Sequence, residues 1–216
     1  MGQIDGLCGV ILAAGNSSRM GRDKALLPWP PEVWGSTSEG TFLSAAIGLL
    51  LSTTDVVLVV AGNNEAAIAP VVYAAGASLL VNPDPSRGQF SSLRIGLQEV
   101  RNRGRDAAIV TLIDRPPVRP ETIAALEREF VTARAHRQWA VVPEYHGGHG
   151  HPIVLANEMI EALLRAPETS NAREVEHAHA DKIGYLAVDD PLVALNVNTP
   201  EDYAALQIPP QLLHSS

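Results

Sequence analysis

The sequence predicts an α/β fold in which a central, mostly parallel sheet is covered by helices on both faces, giving three layers. Short runs rich in β-branched residues alternate along the chain with longer segments of helical pattern. The short runs are nearly all apolar instead of alternating with polar residues, as strands buried on both faces require. Such alternation implies right-handed crossovers and a ligand crevice at the carboxyl ends of the strands.

The first two thirds of the chain supply five strands and the helices between them. The predicted strands are 9–13, 56–61, 78–82, 107–113 and 140–143, and the predicted helices are 41–52, 65–75, 91–103 and 120–135. Pro120 suits the first turn of a helix. Gly76 and Gly104 suit the positions just beyond helix ends.

From residue 139 onward the pattern changes. Segments 139–145 and 151–156 predict two strands joined by a glycine-rich connection. The helices 158–165 and 171–180 and a strand over 182–188 are predicted to follow. Thr199 as N-cap, Pro200 at the first helical position and Asp202 at the third predict that a last helix begins there.

Even apolar composition over 216 residues, with no obvious linker, predicts one domain, 1–216, with an ordered core over 8–207. Segment 28–40, rich in Pro, Gly, Ser and Thr, is predicted to be a long surface loop, and 208–216 a loose tail.

Charge and cysteine content exclude several classes of partner. A formal net charge of −8 disfavours general attraction to nucleic acid or an anionic membrane, so any phosphate site must be local. The apolar runs are too short to span a bilayer. Cys8 is the sole cysteine, which excludes an intramolecular disulfide and fits a reducing cytoplasm, the predicted location.

The segment LAAGNSSRMGRDK, residues 12–24, joins a predicted buried strand to small and cationic side chains. Such a loop lets backbone N–H groups approach phosphate oxygens. Arg19 and Lys24 would place positive charge on a leaving pyrophosphate, which makes them candidate catalytic residues. The candidate nucleotide-binding residues are Leu12, Ala13, Ala14, Gly15, Ser17, Ser18, Arg19, Gly21 and Lys24. The alternative is a simple glycine-serine turn.

Asp114 follows the predicted strand 107–113 and precedes Arg115 and two prolines. A carboxylate at the carboxyl end of a strand can hold Mg²⁺ against phosphate oxygens, because this ion needs few protein ligands. Asp114 is therefore a candidate catalytic residue and metal ligand. The alternative is that it only opens a turn.

Two further segments contain candidate polar residues. In RGQFSSLRIGL, residues 87–97, Ser91 or Ser92 is predicted to cap a helix whose first amides could also bind an anion; capping alone is the alternative. Arg94 is more typical of a solvated helix residue than of a phosphate ligand.

In the segment 145–154, three histidines (146, 149 and 151) permit a zinc alternative, but no acid or cysteine accompanies them. His177 and His179 are predicted to be surface or partly buried residues.

Five segments in this order resemble the motifs of the MobA-like NTP transferases, most closely the molybdenum cofactor cytidylyltransferases. Residues 12–24 are similar to the signature LAAGxSxRMGxxK, Asp114 to the metal-binding Asp of a DxP segment, and 195–202, LNVNTPED, to the closing motif. The closing motif implies Asn198 as the second candidate metal ligand, although its neutral amide offers less charge. The resemblance implies a Rossmann-like nucleotide-diphospho-sugar transferase fold. It also implies that the base and ribose of the nucleotide are bordered by Asn82, Ser91, Ser92 and Leu93. His151 and Pro152, within a GHPvl-like strand, would border the acceptor.

The implied activity is transfer of CMP from CTP to the molybdenum-pterin cofactor, with Mg²⁺ as the metal and Mn²⁺ as a substitute for it. A molybdoenzyme that receives the product is a further implied partner. Ala14 and the SSLRIGL segment favour CTP over another NTP. Asn196 and Asn198, where cytidylyltransferases commonly have Asp, are shared with many guanylyltransferases and leave guanylyl transfer open as a second activity.

Three competing functions belong to different classes of protein. A sugar-phosphate or isoprenoid-precursor nucleotidyltransferase would share the loop, but such enzymes usually have Pro before the lysine, where this chain has Asp23. A non-catalytic nucleotide sensor or cofactor chaperone would keep binding and lose turnover. A Rossmann dehydrogenase is disfavoured because GxGxxG and its downstream acid are missing.

Overall fold

The computed structural model describes residues 6–29 and 40–206. Its strands are β1 (Leu7–Leu12), β2 (Pro28–Trp29), β3 (Gly40–Thr41), β4 (Val57–Ala61), β5 (Ser78–Val81), β6 (Ala107–Leu112), β7 (Ala140–Tyr145), β8 (Gly148–His149), β9 (Ile153–Ala156) and β10 (Ile183–Ala187). Its helices are α1 (Phe42–Leu51), α2 (Glu65–Ala74), α3 (Gln89–Asn102), α4 (Pro120–Ala135), α5 (Asn157–Arg165), α6 (Ala172–Ala178) and α7 (Pro200–Ala205). The predicted elements are confirmed, with bounds that agree to within about two residues.

The main sheet has the strand order β10-β7-β9-β6-β1-β4-β5, with β8 paired to β7. β1 is parallel to β4 and β6, β4 is parallel to β5, and β10 is parallel to β7. β9 is antiparallel to both β6 and β7. The sheet is therefore mostly parallel, as predicted, and the carboxyl ends of its parallel strands share one edge.

The side chains of β1 alternate between two hydrophobic cores, one on each face of the sheet. Leu7 and Ile11 pack in the core that contains residues of α1 and α4, while Val10 and Leu12 pack in the core that contains residues of α3 and α5. Every residue of β1 is buried, which explains its unbroken apolar run. Burial of each such side chain stabilises the fold by roughly 1.5–3 kcal/mol, so both cores fix the strands whose ends form the site.

Local capping signals are confirmed at most helix ends. Thr199 and Asp202 form the capping box of α7, and Pro120 begins α4. Gly76 and Gly104 have positive φ angles just beyond α2 and α3. The predicted capping of α3 by Ser91 or Ser92 is wrong, because the helix begins at Gln89 and both serines lie inside it.

The ends of the predicted loop 28–40 pair with each other as β2 and β3, which are antiparallel. Residues 30–39 and the predicted tail 208–216 lie outside the described residues, so the loop, the tail and the single-domain assignment stay predictions. Among the described residues, no helix has both the length and the apolarity needed to cross a membrane.

Candidate active site

A glycine-rich loop, residues 13–24, leaves the carboxyl end of β1 at the centre of the sheet. The Ala13 N–H donates to the carbonyl of Val60 at 2.8 Å, which fixes the start of the loop against β4. Within the loop, the Ser17 hydroxyl accepts from the Lys24 N–H at 3.2 Å, and Met20 is buried. Gly15, Ser18 and Arg19 are exposed, and the space above Gly15 is open. The loop therefore presents its backbone to a ligand from a fixed position.

Lys24 opens a short 3-10 turn, Lys24–Leu26, at the end of this loop. The residue is only 9% exposed, and Nζ donates to Oδ1 of Asn198 at 2.9 Å. Burial lowers the pKa of Lys24, whereas the charges of Asp114 and Asp202 favour its protonated form. Lys24 is thus a positioned cation instead of a mobile surface one.

The Asn64 side chain links the loop to the end of the adjacent strand, which the sequence did not predict; we call this set of hydrogen bonds the brace. The Asn64 side-chain N–H₂ donates to the Ala13 carbonyl at 3.0 Å and to Oδ2 of Asp23 at 2.7 Å, while Asn64 Oδ1 accepts from the Gly62 N–H at 3.1 Å. Asp23 Oδ1 accepts from the Ala25 N–H and caps the turn that begins with Lys24. Asn64 thereby connects both ends of the loop. Its position after β4 suggests only a helix cap, a role that its side chain does not perform.

Gly62 brings two predicted segments close to each other. A Cβ at this position would lie 2.8 Å from the Ala14 carbonyl oxygen and 3.1 Å from Cβ of Pro85. Glycine is therefore needed where β4 passes between the glycine-rich loop and the segment that follows Asn82.

Asp114 lies just beyond β6, next to the glycine-rich loop. Its Oδ1 is buried and has no hydrogen-bond partner among the described residues. Its carbonyl accepts from the Val197 N–H at 2.7 Å, which places Asn198 beside it. The Asp202 carboxylate in turn accepts from the N–H groups of Asn198 and Thr199 at 2.8 and 2.9 Å. The fold thus brings Asp114, Asn198 and Lys24 together, although residues far apart in sequence supply them.

An unpaired carboxylate oxygen suits a hard divalent cation. The described residues contain no group of three His, Cys, Asp or Glu side chains able to hold a metal. Asp114 would therefore supply one ligand, and phosphates and water the others, which fits Mg²⁺ or Mn²⁺. The direct metal role of Asn198 stays a prediction, because its Oδ1 already accepts from Lys24. A zinc site at the histidines finds no support in the described residues.

Arg115 and His151 extend the site on the side away from the loop. The Arg115 guanidinium donates to the Leu195 carbonyl at 3.2 Å, and burial lowers its pKa. Burial, followed by the charge of Arg115, lowers the pKa of His151 to about 3, so its imidazole is neutral at ordinary pH. The His151 N–H donates to the Val193 carbonyl at 3.0 Å. A Cβ at Gly150 would lie 2.1 Å from the same oxygen, so this approach requires glycine.

The residues around Asn82 form a separate polar cluster. The Asn82 side chain donates to the hydroxyls of Ser91 and Ser92 at 2.8 and 2.9 Å, and its Oδ1 accepts from the Asp84 N–H. Arg94 was predicted to be solvated, but it donates to the carbonyls of Leu164 and Ala166 at the end of α5. Nucleotide contacts of Asn82 and the serines stay predictions.

A cavity of about 400 Å³ lies over the carboxyl ends of β1 and β6, between the start of α3 and α6. Leu12, Leu93 and His151 line it, and their ligand contacts stay predictions. Pro152 is buried and does not line this cavity. His177 and His179 are exposed and half-buried, respectively, as predicted.

A sequence profile of the MobA-like NTP transferase domain matches residues 9–193 of the chain. The chain belongs to this family. The match includes the glycine-rich loop, Asp114 and His151, whereas Asn198 lies just beyond its end.

Two curated relatives of this MobA-like NTP transferase cover nearly its whole length. A molybdenum cofactor cytidylyltransferase from Escherichia coli K12 is 25% identical over 202 residues, covering 90% of the chain and 92% of the relative. A molybdenum cofactor guanylyltransferase from Rhodobacter capsulatus is 30% identical over 202 residues, covering 92% and 93%. The family relationship therefore does not distinguish CTP from GTP.

Among solved structures, Rv0371c from Mycobacterium tuberculosis H37Rv superimposes with a TM-score of 0.75 at 28% identity, covering 93% of the chain and 97% of that protein. A manganese complex of Rv0371c superimposes with a TM-score of 0.69 at 25% identity and the same coverage. The predicted fold class is confirmed by these neighbours and by the mostly parallel sheet.

Proposed function

We propose that this MobA-like NTP transferase moves CMP from CTP to the phosphate of the molybdenum-pterin cofactor. The observation that carries the proposal is the buried oxygen of Asp114, which has no hydrogen-bond partner in the described part of the chain. It lies beside Lys24 and Asn198, at the end of the strand next to β1. A carboxylate left unpaired near a cation suits a site that phosphate oxygens and a divalent metal complete. The relatives that act on the molybdenum cofactor support the choice of acceptor.

The reaction is attack by an oxygen of the acceptor phosphate on the α-phosphorus of the NTP. A new P–O bond forms as the bond to the β-phosphate breaks, and pyrophosphate leaves with the electron pair. The amides of the glycine-rich loop, Arg19 and Lys24 stabilise the charge that grows on pyrophosphate. Charge stabilisation and alignment suffice, so the protein needs no nucleophile of its own.

Asp114 would hold the metal, and Asn198 would orient Lys24 beside it. A bound Mg²⁺ would neutralise phosphate charge and align donor with acceptor. The manganese complex of Rv0371c supports a divalent metal in this fold and makes Mn²⁺ a reasonable substitute.

Ala14 and the segment Ser91-Ser92-Leu93-Arg94 support CTP as the donor. A guanylyltransferase is the second candidate, because Asn196 and Asn198 occur in many guanylyltransferases and the Rhodobacter relative is one. A molybdoenzyme as recipient of the product and a cytoplasmic location remain part of the proposal, the latter supported by the lone, buried Cys8.

The test is to incubate the protein with Mg²⁺, purified molybdenum-pterin cofactor and each of the four NTPs, and to identify the product by mass. We expect the CMP adduct and pyrophosphate from CTP. Equal or better use of GTP would assign guanylyl transfer instead. In a parallel assay with sugar phosphates as acceptors, turnover with these alone would replace the proposed acceptor. NTP binding without pyrophosphate release in either assay would indicate a sensor or chaperone.

A further inference from the structure

Two cavities meet beside His151. The first, of about 400 Å³, begins at Leu12 near the glycine-rich loop. The second, of about 280 Å³, extends from His151 towards Tyr185 on β10. His151, Ile153, Arg173 and Glu176 line both cavities. We call the two adjoining cavities the crevice; it runs away from the phosphate-binding end across the sheet.

Glu176 stands at the junction, on α6. It is half-buried, and in residues 6–29 and 40–206 its carboxylate accepts no hydrogen bond from a side chain and forms no ion pair. Nearby glutamates differ, because Glu174 completes the capping box of α6 and Glu168 pairs with Arg87. A half-buried carboxylate that lines a cavity can accept hydrogen bonds from water or from a ligand. Burial raises the pKa of Glu176, against the charges of Arg173 and His149. The carboxylate is therefore open to a donor from a ligand in either cavity.

The lining of the second cavity indicates the chemistry of that ligand. Tyr185 and His149, whose rings stack with centroids 4.3 Å apart, both line it. An aromatic lining suits a planar ring. The carboxylate of Glu176 disfavours a phosphate and favours a neutral edge that presents N–H groups. A ligand with phosphate at one end and a nitrogen heterocycle at the other would therefore place its heterocycle here and its phosphate near Lys24.

We propose that Glu176 recognises the acceptor by accepting hydrogen bonds from the N–H edge of its heterocycle, at the junction of the two cavities. The proposal rests on the proposed function, since a pterin has an amino group and a ring N–H on one edge. Glu176 determines acceptor specificity and takes no part in phosphoryl chemistry.

The binding test uses 6-hydroxymethylpterin, a fluorescent pterin without phosphate, titrated into the wild type, Glu176→Gln and Glu127→Gln. Glu127 is a matched control, because it is also half-buried with a pKa raised by burial, but it lines neither cavity. We expect Glu176→Gln to weaken pterin binding by roughly 10-fold or more, as for loss of a charge-assisted hydrogen bond. Glu127→Gln should bind as the wild type does. Unchanged binding by Glu176→Gln, or no pterin binding by the wild type, would overturn the proposal.

A kinetic test separates acceptor recognition from a general structural role. With the molybdenum-pterin acceptor, Glu176→Gln should raise the acceptor KM by roughly 10-fold and leave the CTP KM and kcat within about twofold. Equal rises in both KM values would contradict the proposal. Wild-type protein that binds the pterin yet transfers no nucleotide would refute the proposed function and leave the recognition role of Glu176 intact.

Discussion

The glycine-rich loop and the crevice differ in how many of their polar groups are already paired within the protein. In the loop, Ser17, Asp23 and Lys24 all have hydrogen-bond partners, and Asn64 braces both loop ends. In the crevice, Nδ1 of His151 is buried without a partner in the described chain, as are Nε of Arg115 and Oδ1 of Asp114 nearby. In the proposed reaction the loop would hold the triphosphate, and acceptor and metal would satisfy the unpaired groups.

Asp114→Asn is expected to have the largest effect on turnover, because it removes the negative charge of the carboxylate while keeping the shape of the side chain. We expect turnover at ordinary Mg²⁺ levels to fall by roughly 10³-fold or more. The measurement is pyrophosphate release during a Mg²⁺ titration at fixed CTP and acceptor.

Asn198→Asp is the companion variant in this titration. Its carboxylate could accept from Lys24 and also attract metal, so near-normal turnover or tighter Mg²⁺ binding is expected. If Asp114→Asn stays largely active, or if Asn198→Asp is the more damaging change, the assignment of the metal to Asp114 is wrong.

Lys24→Ala removes the positioned cation of the loop. We expect turnover to fall by roughly 10²-fold, because electrostatic stabilisation of the leaving pyrophosphate is lost. Steady-state kinetics measure the effect, and the thermal midpoint checks that the buried position still folds. A midpoint close to that of the wild type together with unaltered turnover would remove Lys24 from the mechanism.

Asn64→Ala tests whether the brace matters for function. The variant lacks the amide that donates to the Ala13 carbonyl and to the Asp23 carboxylate. We therefore expect roughly 10-fold lower kcat/KM for CTP and a free energy of unfolding lower by about 1–3 kcal/mol. Asn63→Ala is the matched control, because this neighbour is exposed.

The exchange Asp23→Asn with Asn64→Asp restores a side-chain bond between the two positions but leaves Ala13 without its donor. Partial recovery of kcat/KM in this double variant is therefore expected. A loss of stability with unchanged kinetics would show that the brace is only structural.

His151 is predicted to affect the pH dependence of stability. Its pKa in the folded protein is about 3, below the ordinary 6.5, so the unfolded state binds more protons between these values. The contribution of neutral His151 to the free energy of unfolding is complete above pH 6.5. Below that pH it is lost by roughly 1 kcal/mol per pH unit.

Urea denaturation between pH 7 and 4 measures this slope, and His151→Gln should show a shallower one. Equal slopes for the two proteins would mean that His151 does not remain neutral in the fold.

Much of the architecture was predictable because its signals are local. The unbroken apolar run of β1 reports burial on both faces, and Thr199-Pro200-Glu201-Asp202 contains its own capping partners. The order of the predicted strands also placed the glycine-rich loop and Asp114 at one edge of a sheet, since carboxyl ends of parallel strands meet there.

The sequence therefore sufficed to predict the class of fold, the position of the glycine-rich loop and the carboxylate beside it. The folded structure was needed to find that Lys24 is buried against Asn198, that Asn64 links the loop ends and that Arg94 donates to carbonyls at the end of α5. It was also needed to find that Glu176 lines the crevice without a side-chain hydrogen-bond partner among the described residues. The cause is the sequence separation of the interacting residues. Strand burial and helix caps depend on residues a few positions apart, whereas the pairing of Lys24 with Asn198 joins positions 174 residues apart and exists only once the sheet has assembled.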